Sequence, residues 1–353
     1  MRSFTIGLML ATATSVSNVV MDVTRKKALS GHDLLRTTFW IRFTVAAALT
    51  LVLAVRWLIG IVPAIKPDVT AANFSIGASP HLSYLIYLLV DTALVAFAVL
   101  LYYRAIQVSP LSLTIPFLAF TPVFLLLTGK VMLGEIPPLL KSEGVVFVVL
   151  GSVLMHRQAF GAGIFEPFKA VLRERGSRYM LAVSFILSLT NPLDKKLVLM
   201  SDAVFYAWAY AIMLLLFFGV PLWIRHDAAA AVTPLAIRWI PITGLTDALT
   251  LLLQFQTHNY IDVVITITLK RAGIVLAVIA GWLIFREREI ADRLIGSAVM
   301  VAGVLMIYLP LTFRQQMVLT ALTLVGAGVA LLLARPEKSR HPAAAAKVGS
   351  VNG

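Results

Sequence analysis

The chain has 353 residues, of which 59% are hydrophobic and 13% are charged. A soluble domain carries about 25% charged residues, so this composition excludes an ordinary soluble enzyme or binding domain. The net charge of +13 would indicate nucleic-acid binding in a soluble chain. Here the cations lie between apolar segments, where anionic lipids and the positive-inside rule account for them. We therefore predict a membrane protein with no nucleic-acid partner.

Apolar segments of about 20 residues, the length that crosses about 30 Å of hydrocarbon, recur along the whole sequence. They predict ten membrane-spanning helices and an additional eleventh helix near the C-terminus. The ten spans are predicted at 4–24, 38–61, 82–103, 108–129, 142–157, 179–197, 202–224, 238–258, 261–285 and 291–310, and the additional helix falls within 311–334.

Two segments differ from these spans. Residues 159–178 carry Phe165 and Phe168 on one helical face and basic residues such as Lys169 and Arg173 elsewhere. That pattern predicts an amphipathic linker helix at the membrane interface. It separates a first half, 1–158, from a second half, 179–310. Residues 335–353 are polar and alanine-rich, which predicts a disordered tail.

The two halves share sequence landmarks. Gly144 and Gly151 recur as Gly296 and Gly303, 152 residues later. Each half contains five spans, and because five is odd, the second half crosses the membrane in the opposite sense to the first. The sequence thus predicts an all-α polytopic membrane protein built from two inverted five-helix repeats. Inverted repeats of this kind place a substrate site near the midplane.

A lysine and an arginine, Lys270 and Arg271, stand side by side within the predicted ninth span. Each cation near a helix centre costs roughly 2.5–3.5 kcal/mol, so the pair should border a protein-lined or watery cavity. Arginine offers a fork for carboxylate or phosphate and lysine a point charge. One interpretation is an anion site for the substrate; the other is neutralisation by Asp91 or Asp247.

These two aspartates, Asp91 and Asp247, each lie near the middle of a span, at equivalent depths in the two repeats. A lone ionised carboxylate at that depth is costly, so each must be protonated, paired or hydrated. Titration of such a group can couple transport to protons, and a salt bridge would instead make it a charge-compensating residue. Both interpretations stay open from sequence.

Four further polar residues are candidate substrate contacts. Lys27 and Lys196 end the first helix of each repeat, where they either anchor the helix at the interface by snorkelling or turn one side chain into the cavity. Asn18 and Asn191 precede them in the same helices and can supply polar contacts along the pathway.

Other motifs argue for packing and against enzymatic chemistry. Glu135 ends the fourth helix, where a carboxylate opposes the helix dipole, so we predict a basic partner such as Lys141. The paired glycines predict close helix packing. The six histidines lack metal-ligand spacing, and no phosphate-binding loop motif is present. We predict no metal, no cofactor, no ATPase and no other enzyme activity.

The sequence resembles the EamA-type transporters of the drug/metabolite transporter superfamily. The landmarks are Tyr102-Tyr103-Arg104-Ala105, Ser109-Pro110-Leu111-Ser112, Gly134-Glu135, Gly281-Trp282 and Arg286-Glu287. The resemblance implies ten core helices and a transport function. Likeness to the triose-phosphate translocators of the same superfamily implies that Lys270 and Arg271 contact a substrate phosphate, assisted by Lys27 and Lys196.

We therefore predict a secondary active transporter that moves a small organic anion or metabolite, phosphorylated or carboxylated, by alternating access, with one repeat rocking against the other. The alternatives are an amino-acid or drug exporter whose buried charges are neutralised internally, and a prenyl-phosphate lipid flippase. We expect a multi-pass protein of the cell's inner membrane. Its predicted partners are a small-molecule solute and membrane lipid, and a homodimer is one assembly open to it.

Overall fold

A computed structural model describes residues 2–29, 34–66, 79–108, 118, 120–154, 175–224, 234–273 and 290–333. Across these ranges the secondary structure is helical, with no strand. Residues 263–273 form α9. The other helices are α1 (Arg2–Leu29), α2 (Leu34–Leu58), α3 (Pro80–Val108), α4 (Thr121–Leu133), α5 (Leu139–Leu154), α6 (Arg175–Met200), α7 (Ala203–Ile224), α8 (Pro234–Thr257), α10 (Ile290–Tyr308) and α11 (Phe313–Leu333).

The all-α membrane fold predicted from the sequence is confirmed, and each predicted span overlaps one of these helices. The fourth span was expected to end at residue 129, but α4 continues to Leu133. Gly134 follows in the left-handed conformation with φ of 70°, and its N–H donates to the carbonyl of Lys130 at 3.0 Å. This αL cap is a common helix end that favours glycine.

Two predicted segments lie largely or wholly beyond the described residues. Of the linker 159–178, only residues 175–178 are described, and they form the first turn of α6. The predicted tail 335–353 lies entirely outside the described ranges.

Four of the described helices are by themselves long and apolar enough to cross a membrane. These spans are Ser3–Arg25, Leu35–Leu58, Pro80–Tyr102 and Ala203–Ile224. Other core helices carry ionisable groups at membrane depth; α6, for example, contains Asp194, Lys195 and Lys196. Such groups are expensive in lipid and face a protein interior or a water-filled space.

Helices of the two repeats pair in a symmetric way. α1 of the first repeat packs against α8 of the second, and the equivalent pair, α6 of the second repeat, packs against α3 of the first. Equivalent helices also meet directly, α2 with α7 and α5 with α10. This exchange of partners is what an inverted repeat produces when two copies bury the same faces against each other.

Two three-helix groups result. We call α1, α8 and α9 the α1 bundle, and α3, α4 and α6 the α3 bundle; α4 packs against α6, and Ser15 of α1 donates to the carbonyl of Leu269 in α9 at 2.6 Å. Each bundle contains helices of both repeats. A motion of one whole repeat against the other would separate the tightly packed α1–α8 and α3–α6 pairs.

The predicted glycine pairs form the antiparallel crossing of α5 and α10. A Cβ atom added to Gly144 would lie 2.7 Å from the carbonyl oxygen of Gly303, and one added to Gly303 would lie 2.7 Å from that of Gly144. Farther along, a Cβ on Gly151 would lie 2.6 Å from the carbonyl oxygen of Gly296. Backbone meets backbone here, which only glycine allows.

The eleventh helix is attached to this crossing by side chains. Gln316 of α11 donates to Glu143 of α5 at 2.9 Å, and the hydroxyl of Thr320 donates to the other oxygen of the same carboxylate. A carboxylate that accepts two hydrogen bonds is less costly to place within a helical assembly, so this contact fixes α11 against the core.

Replacing Gly303 with alanine should destabilise the protein by about 1–3 kcal/mol, because the new methyl group forces the α5 and α10 backbones apart. The measurement is thermal unfolding of the purified protein in detergent. Gly326→Ala on α11 is the matched control, since nothing lies within 4 Å of its added Cβ, and it should unfold at the same temperature or slightly higher. Equal unfolding of the two variants would contradict the close crossing.

Candidate functional site

A cavity of about 110 Å³ lies where the two bundles face each other. Its walls come from α3, α6, α7, α8 and α9, so both bundles and one flanking helix contribute. The lining residues are Val95, Leu187, Thr190, Asn191, Asp194, Tyr210, Leu251, Gln254, Phe255, Ile267, Lys270 and Arg271. Ionisable and amide side chains on an otherwise apolar wall are typical of a small-molecule site.

Lys270 and Arg271 both border this cavity from α9. Neighbouring residues on a helix point about 100° apart, and here that difference still leaves both side chains on the wall of one space. The ammonium group of Lys270 donates to the side-chain oxygen of Gln254 on α8 at 2.6 Å. This bond holds the lysine toward the cavity rather than toward the membrane.

Asn191 and Asp194 reach the same cavity from α6, next to a proline inside that helix. Pro192 has no N–H, so the carbonyl of Ser188, four residues earlier, lacks its usual helical partner. The hydroxyl of Thr128 on α4 donates to that carbonyl at 2.6 Å. The helix therefore accommodates Pro192 without leaving the Ser188 carbonyl unsatisfied.

Asp91 lies on α3, four residues before the lining residue Val95, and is fully buried. The hydroxyl of Tyr206 on α7 lies 2.9 Å from one oxygen of Asp91 and also contacts an oxygen of Asp194. One phenol therefore bridges two aspartates from α3 and α6. The ring of Tyr206 is held in place by Phe255, with ring centroids 4.6 Å apart.

Asp247 belongs to a different cluster. Its Oδ2 atom lies 3.0 Å from Arg42 of α2 and 3.4 Å from Arg25 of α1. This ion cluster joins α2 to the α1 bundle. We had considered Asp91 or Asp247 as the acid that neutralises the Lys270–Arg271 pair; the acid that lines the cavity with that pair is Asp194.

The other predicted contacts lie apart from the described lining of the cavity. The ammonium of Lys27 sits 4.5 Å from the ring centroid of Trp239, and that of Lys196, itself almost fully buried, sits 4.6 Å from the ring of Tyr87. A cation over an aromatic face is attracted electrostatically by the ring. Asn18 is half-buried on α1.

A polar junction joins the two bundles at the start of α9. Glu135, at the end of α4, forms an ion pair with Lys195 of α6 and accepts from the backbone N–H of Val263 at 3.1 Å. Lys195 also donates to the carbonyl of Ile261 at 3.0 Å. Since Val263 begins α9, the carboxylate complements the positive end of that helix.

The predicted basic partner of Glu135 is present, but it is Lys195 and not Lys141. Lys141 donates to the carbonyl of Ile307 on α10 and lies 5.0 Å from the ring of Phe4. The acid therefore bridges the two bundles, rather than pairing locally with the next helix of its own repeat. We refer to Glu135, Lys195, Ile261 and Val263 as the Glu135 junction.

Sequence reasoning missed three residues of the site. Asp194 lies between Asn191 and Lys196 in the sequence, and that position gives no reason to place it in the cavity. Gln254 and Tyr206 carry no sequence signal, because a lone amide or phenol in an apolar helix is common. Among the described residues, no cluster of His, Cys, Asp or Glu has the arrangement of a metal site.

Two interleaved bundles around a charged central cavity define a polytopic membrane transporter with an inverted repeat. The chain belongs to the EamA-like transporter family, whose profile matches residues 5–157 and 175–309. Members of this family are transporters rather than enzymes. The match covers both repeats, so the expected membership of the drug/metabolite transporter superfamily is confirmed.

The fold is also found in solved structures. One, titled "Crystal structure of protein", has a TM-score of 0.63 with 12% sequence identity, and the match covers 86% of this chain and 98% of that chain. At this identity the likeness establishes the shared fold alone. No curated protein matches the sequence.

Replacing Arg42 with glutamine should destabilise the protein by about 3 kcal/mol, because Asp247 is largely buried and would lose its nearer cation. Chemical denaturation in detergent measures this change. Arg56→Gln is the comparison: Arg56 pairs with Asp202 at 2.6 Å, but the Asp202 side chain is 31% exposed, so the cost should be about 0–1 kcal/mol. Equal costs would show that the Asp247 cluster is not a buried ion pair in solution.

Proposed function

We propose that the protein is a secondary active transporter of the cell's inner membrane that carries a small organic anion, phosphorylated or carboxylated. The observation that supports this most directly is the position of Lys270 and Arg271 on the wall of a central cavity. Two cations there, with the amide groups of Asn191 and Gln254 beside them, offer charge and hydrogen-bond donors to an oxyanion. Membrane lipid surrounds the transporter, and a homodimer remains part of the proposal.

Alternating access would proceed by movement of the α1 bundle against the α3 bundle. The cavity lies between them, and the Glu135 junction holds them together at one end. Opening that end requires loss of one hydrogen bond to Val263 and one to Ile261, while the Glu135–Lys195 ion pair stays within the α3 bundle. Small polar contacts of this kind can exchange with water at modest cost, as a gate requires.

An amino-acid substrate is the second candidate, and Asp194 favours it. The cavity presents this carboxylate together with Lys270 and Arg271. An α-amino acid carries an ammonium and a carboxylate, so its two charges could pair with groups of opposite sign on the same wall. This candidate differs from the anion hypothesis in requiring an ionised Asp194 during binding.

A thermal-shift screen of the purified protein distinguishes these substrates. We would compare phosphorylated sugars, carboxylates, amino acids and a short prenyl phosphate, the last as a test of lipid transport. A ligand at a hundredfold excess over its Kd should add about 2.7 kcal/mol of apparent stability. If the anion hypothesis is right, an anionic metabolite produces the largest shift and Lys270→Ala abolishes it.

Lys130→Ala is the control for that variant, because Lys130 is exposed on α4, away from the cavity lining. It should bind the same metabolite as the unmodified protein. Anion-induced stabilisation that survives Lys270→Ala would overturn the anion site. A shift confined to amino acids, lost in Asp194→Asn, would favour the second candidate.

A cross-link across the Glu135 junction should stop transport. The chain has no cysteine, so Gly129→Cys with Val263→Cys introduces a single pair; a Cβ atom on Gly129 would lie 3.6 Å from a side-chain carbon of Val263. An oxidised pair ties α4 to α9 and holds this end closed. Counterflow in vesicles of the metabolite with the largest thermal shift should fall to background on oxidation and return on reduction.

A second pair, Thr121→Cys with Ser184→Cys, is the matched control. The two native hydroxyl oxygens lie 3.0 Å apart, and both residues belong to the α3 bundle. Its cross-link should form equally well and leave counterflow intact, because it joins helices that move together. Inhibition by the control pair, or continued counterflow in the oxidised junction pair, would contradict movement between the bundles.

A further inference from the structure

The bridge between Asp91, Tyr206 and Asp194 contains one more hydrogen bond than its phenol can donate. The Tyr206 oxygen contacts a carboxyl oxygen of each aspartate. A phenol has a single O–H proton, so it can donate in only one of the two contacts. The other contact is a hydrogen bond only if that carboxyl carries a proton and donates to the phenol oxygen.

The burial of the two carboxyl groups also indicates that one of them carries a proton. Asp91 and Tyr206 are fully buried, and Asp194 is 6% exposed. Two carboxylates sharing one site cannot both be ionised at low cost, because each disfavours the charge of the other. One proton held between them removes that repulsion and satisfies both contacts with Tyr206.

The charges around this bridge come from several helices. Asp194 shares the cavity wall with Lys270, whose charge acts on it directly. The further charged or titratable groups near the bridge are Arg42 of α2, Lys195 and Lys196 of α6, Tyr210 of α7, Asp247 of α8, His258 just after α8, and Arg271 of α9. Arg42 and Asp247 compensate each other, and Lys270 is a cation that both lines the cavity and acts on Asp194.

The link to substrate follows from charge. When no substrate is bound, the positive charge of Lys270 favours the ionised form of Asp194. An anion bound to Lys270 cancels that effect, and the bridge then holds its proton more tightly. Because linkage is reciprocal, a proton on the bridge strengthens anion binding by the same factor.

We propose that Asp91, Tyr206 and Asp194 form a binding site for a single proton, and that this proton and an anion at Lys270 bind together. The proton comes from solvent water and returns to it, and no other bond forms or breaks. The linkage to the anion rests on the proposed function, whereas the proton site does not. Neither Tyr206 nor Asp194 was a candidate from the sequence.

Infrared spectroscopy of the full-length protein in lipid, in sodium-free buffer without any organic solute, tests the proton site. A protonated carboxyl gives a carbonyl band separate from the amide bands. We expect such a band at neutral pH and its loss in both Asp91→Asn and Asp194→Asn. In each variant the new amide supplies the N–H that the second contact with Tyr206 needs, so the remaining carboxylate no longer needs the proton.

Asp202→Asn is the control aspartate variant. Asp202 accepts from the N–H groups of Val204 and Phe205 at the start of α7, and asparagine preserves that cap. Its band should equal that of the unmodified protein. Absence of the band in the unmodified protein, or its survival in both bridge variants, would overturn the proton site.

Lys270→Ala tests the linkage without any substrate, because removal of the ammonium mimics its neutralisation by an anion. The pH at which the band disappears should rise by about one unit in this variant. Lys130→Ala should leave that pH unchanged. No shift in Lys270→Ala would overturn the linkage while leaving the proton site itself in place.

These outcomes separate the two proposals. If the metabolite screen fails but the band shifts in Lys270→Ala, the proton site stands and the anion hypothesis is wrong. If a metabolite binds through Lys270 but the band is absent, the anion site stands and the proton bridge is wrong.

Discussion

The cost of placing charge in a low-dielectric environment organises the interior of this protein. Asp247 lies between Arg25 and Arg42, and Glu135 pairs with Lys195 while capping α9. Each of these contacts also joins separate helices. Because a buried charge without a partner costs several kcal/mol, the pairs restrict how the helices can be arranged. The central cavity places the carboxylate of Asp194 on the same wall as Lys270 and Arg271.

The inverted repeat supplies the frame for that cavity. Equivalent helices meet directly at the α5–α10 crossing, where Gly144 and Gly303 bring two backbones together. The other helices exchange partners, and each bundle takes helices from both repeats. The movement proposed above is therefore one of the bundles and not of the repeats. A symmetric frame of this kind offers two related closures around one site, which is the geometry that alternating access needs.

The two repeats differ in their charged residues. Lys270 and Arg271 occupy α9, whereas the first-repeat positions 152 residues earlier are Leu118 and Ala119. The aspartates are also used differently. Asp91 joins Tyr206 and Asp194 in a buried bridge, while its sequence counterpart Asp247 joins two arginines. Similar sequence positions thus serve distinct roles, because the helices that surround them differ.

The sequence by itself determined the helical membrane fold, the repeat, the glycine crossing and the cations of α9, since apolar length and costly charge are local properties of a chain. The tertiary structure alone decided which residues meet. It placed Asp194 and Gln254 beside Lys270 and gave Lys195 rather than Lys141 to Glu135. Those pairings cross between helices far apart in the chain, and helical periodicity carries no information about which faces of distant helices come together.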